Sequence, residues 1–129
     1  LGNRKTSQAD DELVTGLLIP KPSANAFGAF EKLGARRYLV ISIVMTGVVA
    51  EWNEDQRIGK IRIAVGSCSD KSIRLEKLEK ECEGKRMDQI RIRTEHLENL
   101  SPIDDIRAKA DFRLDVVSEL ILRAVRQTF

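Results

Sequence analysis

Residues 27–52, FGAFEKLGARRYLVISIVMTGVVAEW, decide the fold of this chain. The second part of this stretch, from Tyr38 to Val49, is the longest apolar run in the sequence and is rich in β-branched residues. Such a run between charged residues is typical of a buried strand, because β-branched side chains pack well on a pleated surface. The run is too short, and too interrupted by polar residues, to cross a membrane. We therefore predict a long central strand over residues 39–52.

The first part of the stretch, residues 27–37, contains two glycines and is predicted as a loop, with residues 31–38 as a possible extended segment of their own. It carries three cations, Lys32, Arg36 and Arg37. A cationic loop that leads into a buried strand is suited to hold an anionic or electron-rich ligand. An ordinary exposed basic turn is the alternative interpretation. These three side chains form the candidate binding site.

Composition indicates one ordinary globular domain spanning residues 1–129. Hydrophobic residues make up 42% of the chain and charged residues 33%. The net charge of +2 arises from 22 basic and 20 acidic residues, which alternate along the predicted helices. Interspersed charges of this kind form solvated helix faces more often than a phosphate-binding track, so a nucleic-acid partner is not predicted.

The two cysteines, Cys68 and Cys82, have no histidine nearby and do not form a metal-ligand set. Two reduced, partly buried thiols in a cytoplasmic protein are the favoured interpretation, and a disulfide is the alternative. Residues 1–12 are polar and lack the apolar core of a signal peptide, which agrees with a cytoplasmic protein.

Two further strands are predicted, one before and one after the central strand in the sequence. Residues 12–19, ELVTGLLI, form a short apolar run that Pro20 and Pro22 terminate, because proline cannot donate to a ladder. Residues 57–65, RIGKIRIAV, alternate between apolar and polar side chains from Lys60 onward. This period of two is typical of a half-buried antiparallel strand, and the polar turn before it predicts a hairpin with the central strand.

The remaining chain has helical periodicity. A helix is predicted over residues 71–82, with Asp70 or Ser72 as N-cap and Gly84 as the stop, and a weaker one over residues 87–97. A third is predicted to open at Ser101-Pro102 and to carry an apolar stripe of Phe112, Val116 and Leu120, with Val117, Ile121 and Val125 beside it. Strands followed by helices predict an α+β two-layer sandwich, in which about three helices cover one face of a small antiparallel sheet of three to four strands.

No catalytic or metal-binding motif emerges from the residues. The glycines are spread singly, so the chain lacks the glycine-rich loop that cradles a phosphate. His96 is the sole histidine and is predicted to lie solvated on a helix surface. Asp104 and Asp105 are predicted to favour the N-terminus of the third helix, since adjacent helical residues point in different directions.

Four segments, in order, carry a family resemblance: DELVTGLLIPKP, AFEKLGARRYLVISIV, GKIRIAVGSCSDKSIRLEKLEKECEGK and SPIDDIRAKADFRLDVVSELILRAV. Together they resemble the C-terminal domain of the flavin-binding subunit of molybdenum hydroxylases, the family of xanthine dehydrogenase, aldehyde oxidase and carbon monoxide dehydrogenase. The last segment is similar to the closing motif of that family, here formed by Pro102, Asp104, Asp105, Arg107, Phe112 and Arg113. Two departures stand out: GSCSDKSIR replaces a proline-containing turn, and Phe112 replaces the more usual tyrosine.

The resemblance implies a supporting role in FAD chemistry. In the family this domain closes over the isoalloxazine end of FAD, and the positions that match are Lys32 and Val14, with Arg36 and Arg37 shaping the same loop. The N-terminal part that grips the pyrophosphate is missing, so the chain resembles the last third of a flavoprotein, either excised or separately encoded. The implied partners are that N-terminal FAD-binding domain, a molybdenum-binding subunit and an iron–sulfur subunit.

Two functions remain as hypotheses. In the first, the chain supports electron transfer from the molybdenum and iron–sulfur partners through FAD to an external acceptor, and it is inactive alone. In the second, it is a noncatalytic docking module that binds partner subunits and has no ligand of its own.

Overall fold

A four-stranded antiparallel sheet organises the computed structural model, which describes residue 2 and residues 5–129. The strands are β1 (Ala26–Leu33), β2 (Val44–Trp52), β3 (Ile58–Gly66) and β4 (Ile73–Arg74). The helices are α1 (Glu76–Cys82), α2 (Thr94–Leu97) and α3 (Ala110–Gln127), and a 3₁₀ turn spans Met87–Gln89. The helices pack on one face of the sheet, so the predicted α+β two-layer sandwich is confirmed.

The strands follow one another in the sheet in chain order. β1 and β2 pair along their whole length, with Leu33 opposite Val44. β2 and β3 form the predicted hairpin, whose turn is closed by a 2.8 Å hydrogen bond from Arg57 N to Asn53 Oδ1. Antiparallel neighbours need no crossover helix, which leaves all the helices free to lie on the same side of the sheet.

The side of the sheet that the helices cover, here called the inner face, holds the core. The predicted alternation along β3 is confirmed, since Ile61, Ile63 and Val65 are buried while Lys60 and Arg62 are exposed. Each fully buried aliphatic side chain stabilises the fold by about 1.5–3 kcal/mol relative to an exposed one. Opposite β3 and β2, the helices contribute Leu78, Cys82, Val117, Leu120, Ile121, Ala124 and Val125.

Helix α3 is the main cover of the inner face, and its C-terminal end is fixed to the end of β2. Trp52 Nε1 donates a 3.2 Å hydrogen bond to Thr128 Oγ1, and the Trp52 ring meets the Phe129 ring edge to face at 4.9 Å. The predicted apolar stripe is wrong at its first position, because Phe112 is half exposed and Arg113 is buried in its place. Of the helices in the described ranges, none combines the length and the apolarity that a membrane span requires.

The strand predicted over residues 12–19 is wrong. This part of the chain, here called the leading segment, has no regular structure, and its apolar side chains are exposed, with Leu18 at 99%. Its residues have strand-forming character, but a strand needs a neighbour for its backbone hydrogen bonds. The described part of the chain places no strand beside it.

The prediction for residues 27–52 is wrong at two points. The predicted loop contains β1, which runs to Leu33, and the central strand begins at Val44 instead of residue 39. Between them, residues 34–43 form the β1–β2 connection. Leu39 has φ 49° there, in the left-handed region, so the chain is not extended at this point even though the sequence is apolar and β-branched.

The helix boundaries also differ from the predictions. The first helix begins at Glu76 instead of near Asp70 or Ser72, because Ile73–Arg74 pairs with β3 as β4, whereas Gly84 follows the helix with φ 76° as expected of a stop. The second predicted helix is reduced to the 3₁₀ turn and the single turn of α2.

The third helix begins at Ala110, eight residues beyond the predicted Pro102, and Ser101 is not its N-cap. The interpretation of Asp104 as a residue of the helix start is confirmed in part. Its Oδ1 accepts a 2.7 Å hydrogen bond from Ala110 N, the first amide of α3, although Asp104 itself lies in the preceding loop. Asp105 has a different role, described below.

The two outer edges of the sheet differ. The edge of β3 is covered by β4, by Leu75, whose N donates to Ile63 O at 3.0 Å, and by the buried carboxylate of Glu79, which accepts from Ile63 N at 2.9 Å. The turn at Gly84 pairs with Ile58 farther along. β1 is the terminal strand at the other edge, and the described residues place no further strand beside it.

Both cysteines are free and buried, which confirms the interpretation as reduced thiols over the alternative of a disulfide. Burial raises the pKa of each thiol to about 11. Near pH 7 both are therefore protonated and behave as small apolar core groups.

Candidate functional site

Lys32 lies near the end of β1 on the side of the sheet that the helices do not cover, here called the outer face. Its neighbour Glu31 points the other way, since Glu31 Oε1 accepts a hydrogen bond from Gln127 of α3. Lys32 is exposed and sits opposite Met45 of β2. The cation predicted to lie in a loop thus stands on a hydrogen-bonded strand, which fixes its backbone.

Arg36 and Arg37 lie in the β1–β2 connection directly after this strand, and both are exposed. Arg36 Nη2 donates a 2.7 Å hydrogen bond to Leu39 O, and the Arg37 guanidinium lies 5.2 Å from the centre of the Tyr38 ring. These contacts are within the connection itself. The structure therefore brings the three predicted cations to one end of the β1–β2 hairpin.

The same end of the hairpin exposes apolar surface. Leu39 is 91% exposed, and Tyr38 and Ile41 are also largely exposed. Cations beside uncovered aromatic and aliphatic groups suit a flat, electron-rich and partly anionic ligand better than a simple ion.

Among the described residues, no contact joins Val14 to the three cations. It lies in the leading segment and is 64% exposed, with exposed Leu13, Leu17 and Leu18 around it in sequence. Its place in a site therefore depends on what covers the leading segment.

A buried ion pair at the base of the β1–β2 connection was missed by the sequence reasoning. Arg113 of α3 is 3% exposed and donates from Nη1 to Ile43 O and to Ser67 O, the latter at 3.1 Å. Its Nη2 donates to Asp105 Oδ1 at 2.7 Å. The available signal was an arginine at an inward position of an otherwise apolar helix face, which is costly unless the charge is paired.

Asp105 is held by several donors besides Arg113. Its Oδ1 accepts from Arg107 N at 2.8 Å and from Ala108 N at 3.0 Å, and its Oδ2 accepts from the Arg107 side chain at 2.9 Å. These bonds, with that of the Arg107 amide foremost, hold the pKa of Asp105 well below its usual range. The carboxylate is therefore charged at any physiological pH and neutralises the buried guanidinium.

The outer face of the sheet contains a shallow apolar trough of about 500 Å³. Gly28, Gly47 and Ala64 form its floor, and Phe30 and Val49 stand beside them. Small residues at outward positions of three neighbouring strands were visible in the sequence, but their alignment depends on the register between strands. Arg62 and Arg74 line the β3–β4 side of the trough.

His96 was predicted to be solvated on a helix surface, and this is wrong. The residue is buried, its Nδ1 accepts from Arg93 N at 3.0 Å, and its Nε2 lies 3.0 Å from Glu81 Oε2. Glu81 also pairs with Lys85 and Arg93, and these contacts, with that of Lys85 foremost, lower the pKa of Glu81 to about 2. The side chains of Glu81, Glu95 and His96 lie close enough together to hold a metal ion. Their oxygen and nitrogen atoms are already engaged in the hydrogen bonds and ion pairs of this network, which joins α1 to α2.

Comparison with known families gives a match over most of the chain. Residues 29–128 match the family described as the CO dehydrogenase flavoprotein C-terminal domain. The match begins in β1 and ends after α3, so it contains the β1–β2 connection and the Arg113–Asp105 pair and leaves out the leading segment.

Individual relatives agree with this match. The nicotine 6-hydroxylase medium subunit of Paenarthrobacter nicotinovorans is 33% identical over 129 residues, an alignment that covers 97% of this chain and 44% of that subunit. The chain thus spans less than half the length of this relative.

Solved structures share the fold. Reconstituted CO dehydrogenase from Oligotropha carboxidovorans superposes with a TM-score of 0.72 at 19% identity, over 85% of this chain and 39% of that chain. Quinoline 2-oxidoreductase from Pseudomonas putida 86 superposes with a TM-score of 0.69 at 20% identity, over 85% and 38%.

Proposed function

Because the chain belongs to the CO dehydrogenase flavoprotein C-terminal domain family, the closing domain of FAD-binding subunits of molybdenum hydroxylases, we propose that it covers the isoalloxazine end of FAD in a longer flavoprotein. In this role it supports electron transfer from molybdenum and iron–sulfur partner subunits in the cytoplasm, through FAD, to an external acceptor. It has no activity in isolation. The single observation that carries the proposal is the cluster of exposed cations and apolar groups at the end of the β1–β2 hairpin.

This cluster fits one end of FAD and not the other. Lys32, Arg36 and Arg37 offer positive charge, and Tyr38 and Leu39 offer uncovered apolar surface, which together suit an isoalloxazine ring. A pyrophosphate needs converging backbone amides from a glycine-rich loop, and the glycines of this sequence are spread singly. We therefore assign the pyrophosphate to the N-terminal FAD-binding domain of the longer protein.

FAD, when bound, supplies a two-electron redox centre at its isoalloxazine ring. Lys32 contributes a fixed positive charge, which stabilises the negative charge that a reduced flavin carries. Arg36 and Arg37 add to the positive potential of the same loop. The fixed backbone of Lys32 in β1 matters, because a charge that is held in place needs no reorganisation when electrons arrive.

The leading segment completes the site in this proposal. Val14 and its exposed apolar neighbours pack against the N-terminal FAD-binding domain, and Val14 contributes backbone and packing contacts to the flavin. The support is its exposed apolar surface, since contiguous uncovered patches of this kind mark interaction sites.

The proposal is tested by Lys32→Ala in the full-length flavoprotein. Loss of one partly solvated charge contact weakens the stabilisation of the reduced flavin by about 0.5–1 kcal/mol. For a two-electron couple, this corresponds to a reduction potential lowered by about 10–20 mV. Lys60→Ala is the matched control, because Lys60 is another exposed lysine of the sheet, on β3 and opposite Glu51. A potential and an FAD affinity that are unchanged in Lys32→Ala would remove Lys32 from the site.

A second candidate function, a noncatalytic docking module, is favoured by the outer face. Its trough and exposed Phe30 and Val49 provide a surface for a partner subunit without any ligand. If this function is the correct one, Phe30→Asp releases the partner subunits, while Lys32→Ala changes neither the flavin content nor the potential. Passing the purified chain with FAD through a desalting column tests both functions, since each expects no retained flavin. A chain that emerges with one FAD bound has a complete flavin site and contradicts both.

A further inference from the structure

Arg113 is the one arginine of helix α3 that is withdrawn from solvent. It occupies the first turns of the helix, while Arg123 and Arg126 of the same helix are exposed. Burying a guanidinium costs several kcal/mol unless its donors are satisfied. Here Nη1 and Nη2 are hydrogen-bonded, and Nε is buried without a partner among the described residues. A side chain that served packing alone would be apolar at this position, as Val117 and Ile121 are one and two turns farther along.

The partners of Arg113 are backbone carbonyls at the base of the β1–β2 connection and of the turn after β3. Its Nη1 donates to Ile43 O and Ser67 O, and Ser67 has φ 64° in the left-handed region. The amide of Ile43 donates in turn to Leu33 O at 2.8 Å. Both backbone polar groups of Ile43 are thus engaged, one by the end of β1 and one by Arg113.

The β1–β2 connection makes few contacts of its own between Leu33 and Ile43. The hydrogen bond that the structure records inside it joins Arg36 to Leu39, and the side chains of residues 35–39 are exposed. The path of the exposed loop therefore depends on its two ends. The end at Leu33 is fixed by the sheet, and the end at Ile43 is fixed by Arg113.

The geometry of the guanidinium suits this task better than an ammonium would. Three acceptors on three different segments are reached from one planar group: Ile43 O, Ser67 O and Asp105 Oδ1. Asp105 is itself oriented by the amides of Arg107 and Ala108. A lysine keeps the charge but lacks the rigid fork that reaches separate acceptors at once.

We propose that Arg113 is a positioning residue for the flavin, which acts by fixing the β1–β2 connection so that Arg36 and Arg37 present their charges in one arrangement beside Lys32, which β1 holds in place. This inference rests on the proposed function. Arg113 itself is buried and touches no ligand, so its effect on the flavin passes through Ile43 and the loop.

The experiment compares Arg113→Met, Arg113→Lys and Arg123→Met in the full-length flavoprotein. Arg123 is the matched control, since it is an exposed arginine of the same helix and pairs with Glu119. In Arg113→Met we expect hydrogen exchange at the Ile43 amide to become at least tenfold faster, with the amide of Val48 in the middle of β2 unchanged. We expect FAD affinity to fall by about tenfold, with a reduction potential lowered toward that of Lys32→Ala. Arg113→Lys restores these properties in part, and Arg123→Met leaves them unchanged.

The outcomes separate this inference from the proposed function. Faster exchange at Ile43 with wild-type FAD affinity and potential means that Arg113 has a structural role only, which overturns the inference. If Lys32→Ala leaves the flavin unchanged while Arg113→Met still loosens Ile43, the proposed function fails. If Arg113→Met does not fold, Arg113→Lys and Asp105→Asn carry the test, and unchanged flavin properties in both overturn the inference.

Discussion

Residues 38–41 and residues 44–50 have similar apolar, β-branched sequences, YLVI and VMTGVVA, but opposite environments. In the second region alternate side chains point into the core, with Val44, Thr46, Val48 and Ala50 buried. In the first region Leu39 is 91% exposed. The leading segment, which has the same apolar character, resembles the first region in this respect.

The difference lies in the neighbours and not in the residues. β2 has a strand on each side and α3 below it, so its backbone groups are paired and its inner side chains are covered. Residues 38–41 lie beyond the last paired residues, Leu33 and Val44, so no neighbouring strand among the described residues pairs with them. Apolar sequence thus indicates surface that must be covered, and here part of that cover is expected from outside this chain.

The largest difference in stability between covered and uncovered apolar residues is expected in the core. Ile61→Ala removes a fully buried side chain from β3, so we expect the free energy of unfolding to fall by about 2–5 kcal/mol. Ile106→Ala makes the same chemical change at a residue that is 99% exposed, and we expect it to change stability by less than about 0.5 kcal/mol. Denaturant unfolding measures both. Equal effects of the two substitutions would mean that the described burial is wrong.

A smaller effect is expected from acid. The ion pairs with Lys85 and Arg93 and the hydrogen bond with His96 lower the pKa of Glu81 from 4.5 to about 2, so the folded state binds this proton less readily than the unfolded chain does. The stabilisation is therefore complete above about pH 4.5 and is lost as the pH falls toward 2. We expect the free energy of unfolding to decrease across this window. Asp105, whose pKa is also lowered, contributes to the same decrease.

The substitution Glu81→Gln measures how much of this acid-induced loss of stability is due to Glu81. This variant should show a shallower loss of stability between pH 4.5 and 2 than the wild type, while Glu54→Gln, in the exposed turn between β2 and β3, keeps the wild-type slope. An identical slope in Glu81→Gln would show that the network does not stabilise the fold.

The smallest effect on stability is expected in the uncovered region. Leu18→Ala alters a residue that is 99% exposed, so the free energy of unfolding should change by less than about 0.5 kcal/mol. If the leading segment packs against an N-terminal domain as proposed, the same substitution should also weaken that contact in the longer protein. Limited chymotrypsin digestion of the purified chain gives an independent check, since cleavage is expected first in the leading segment and near Tyr38. First cleavage within β2, at Met45 or Trp52, would contradict the comparison.

The sequence correctly predicted those parts of the fold whose structure is determined by residues close together in the chain. The period of two along β3, the polar turn at Asn53 and the inward residues of α3 from Val117 onward all depend on neighbours close in sequence or on a strong periodicity. Gly84 was likewise identified as the residue that follows α1.

The errors arose where a partner distant in sequence decides the structure. The segment containing β1 was predicted as a loop because of Gly28 and Gly34, and β1 is a strand because β2 pairs with its full length. The helix from residue 71 lost its start to β4, which needs β3 as neighbour. The position of Arg113 followed from carbonyls that lie 70 and 46 residues away, and the burial of His96 depended on Glu81 of another helix.

The residues of the cationic cluster were predicted from the sequence, but the structure that holds them was not. Lys32, Arg36 and Arg37 were identified from the sequence, and the structure places them together at one end of a hairpin. No local pattern could give the strand under Lys32 or the contact of Arg113 with Ile43, since each depends on residues distant in sequence.

The unequal edges of the sheet limit how copies of this chain could join. Strand addition requires an edge with free backbone groups, and β3 offers little, because β4, Leu75, Glu79 and the turn at Gly84 occupy it. A second copy of the chain could therefore add a strand at the β1 edge but not at the β3 edge. β1 has no neighbouring strand among the described residues, so two copies that paired through β1 would form a closed pair and not a fibre.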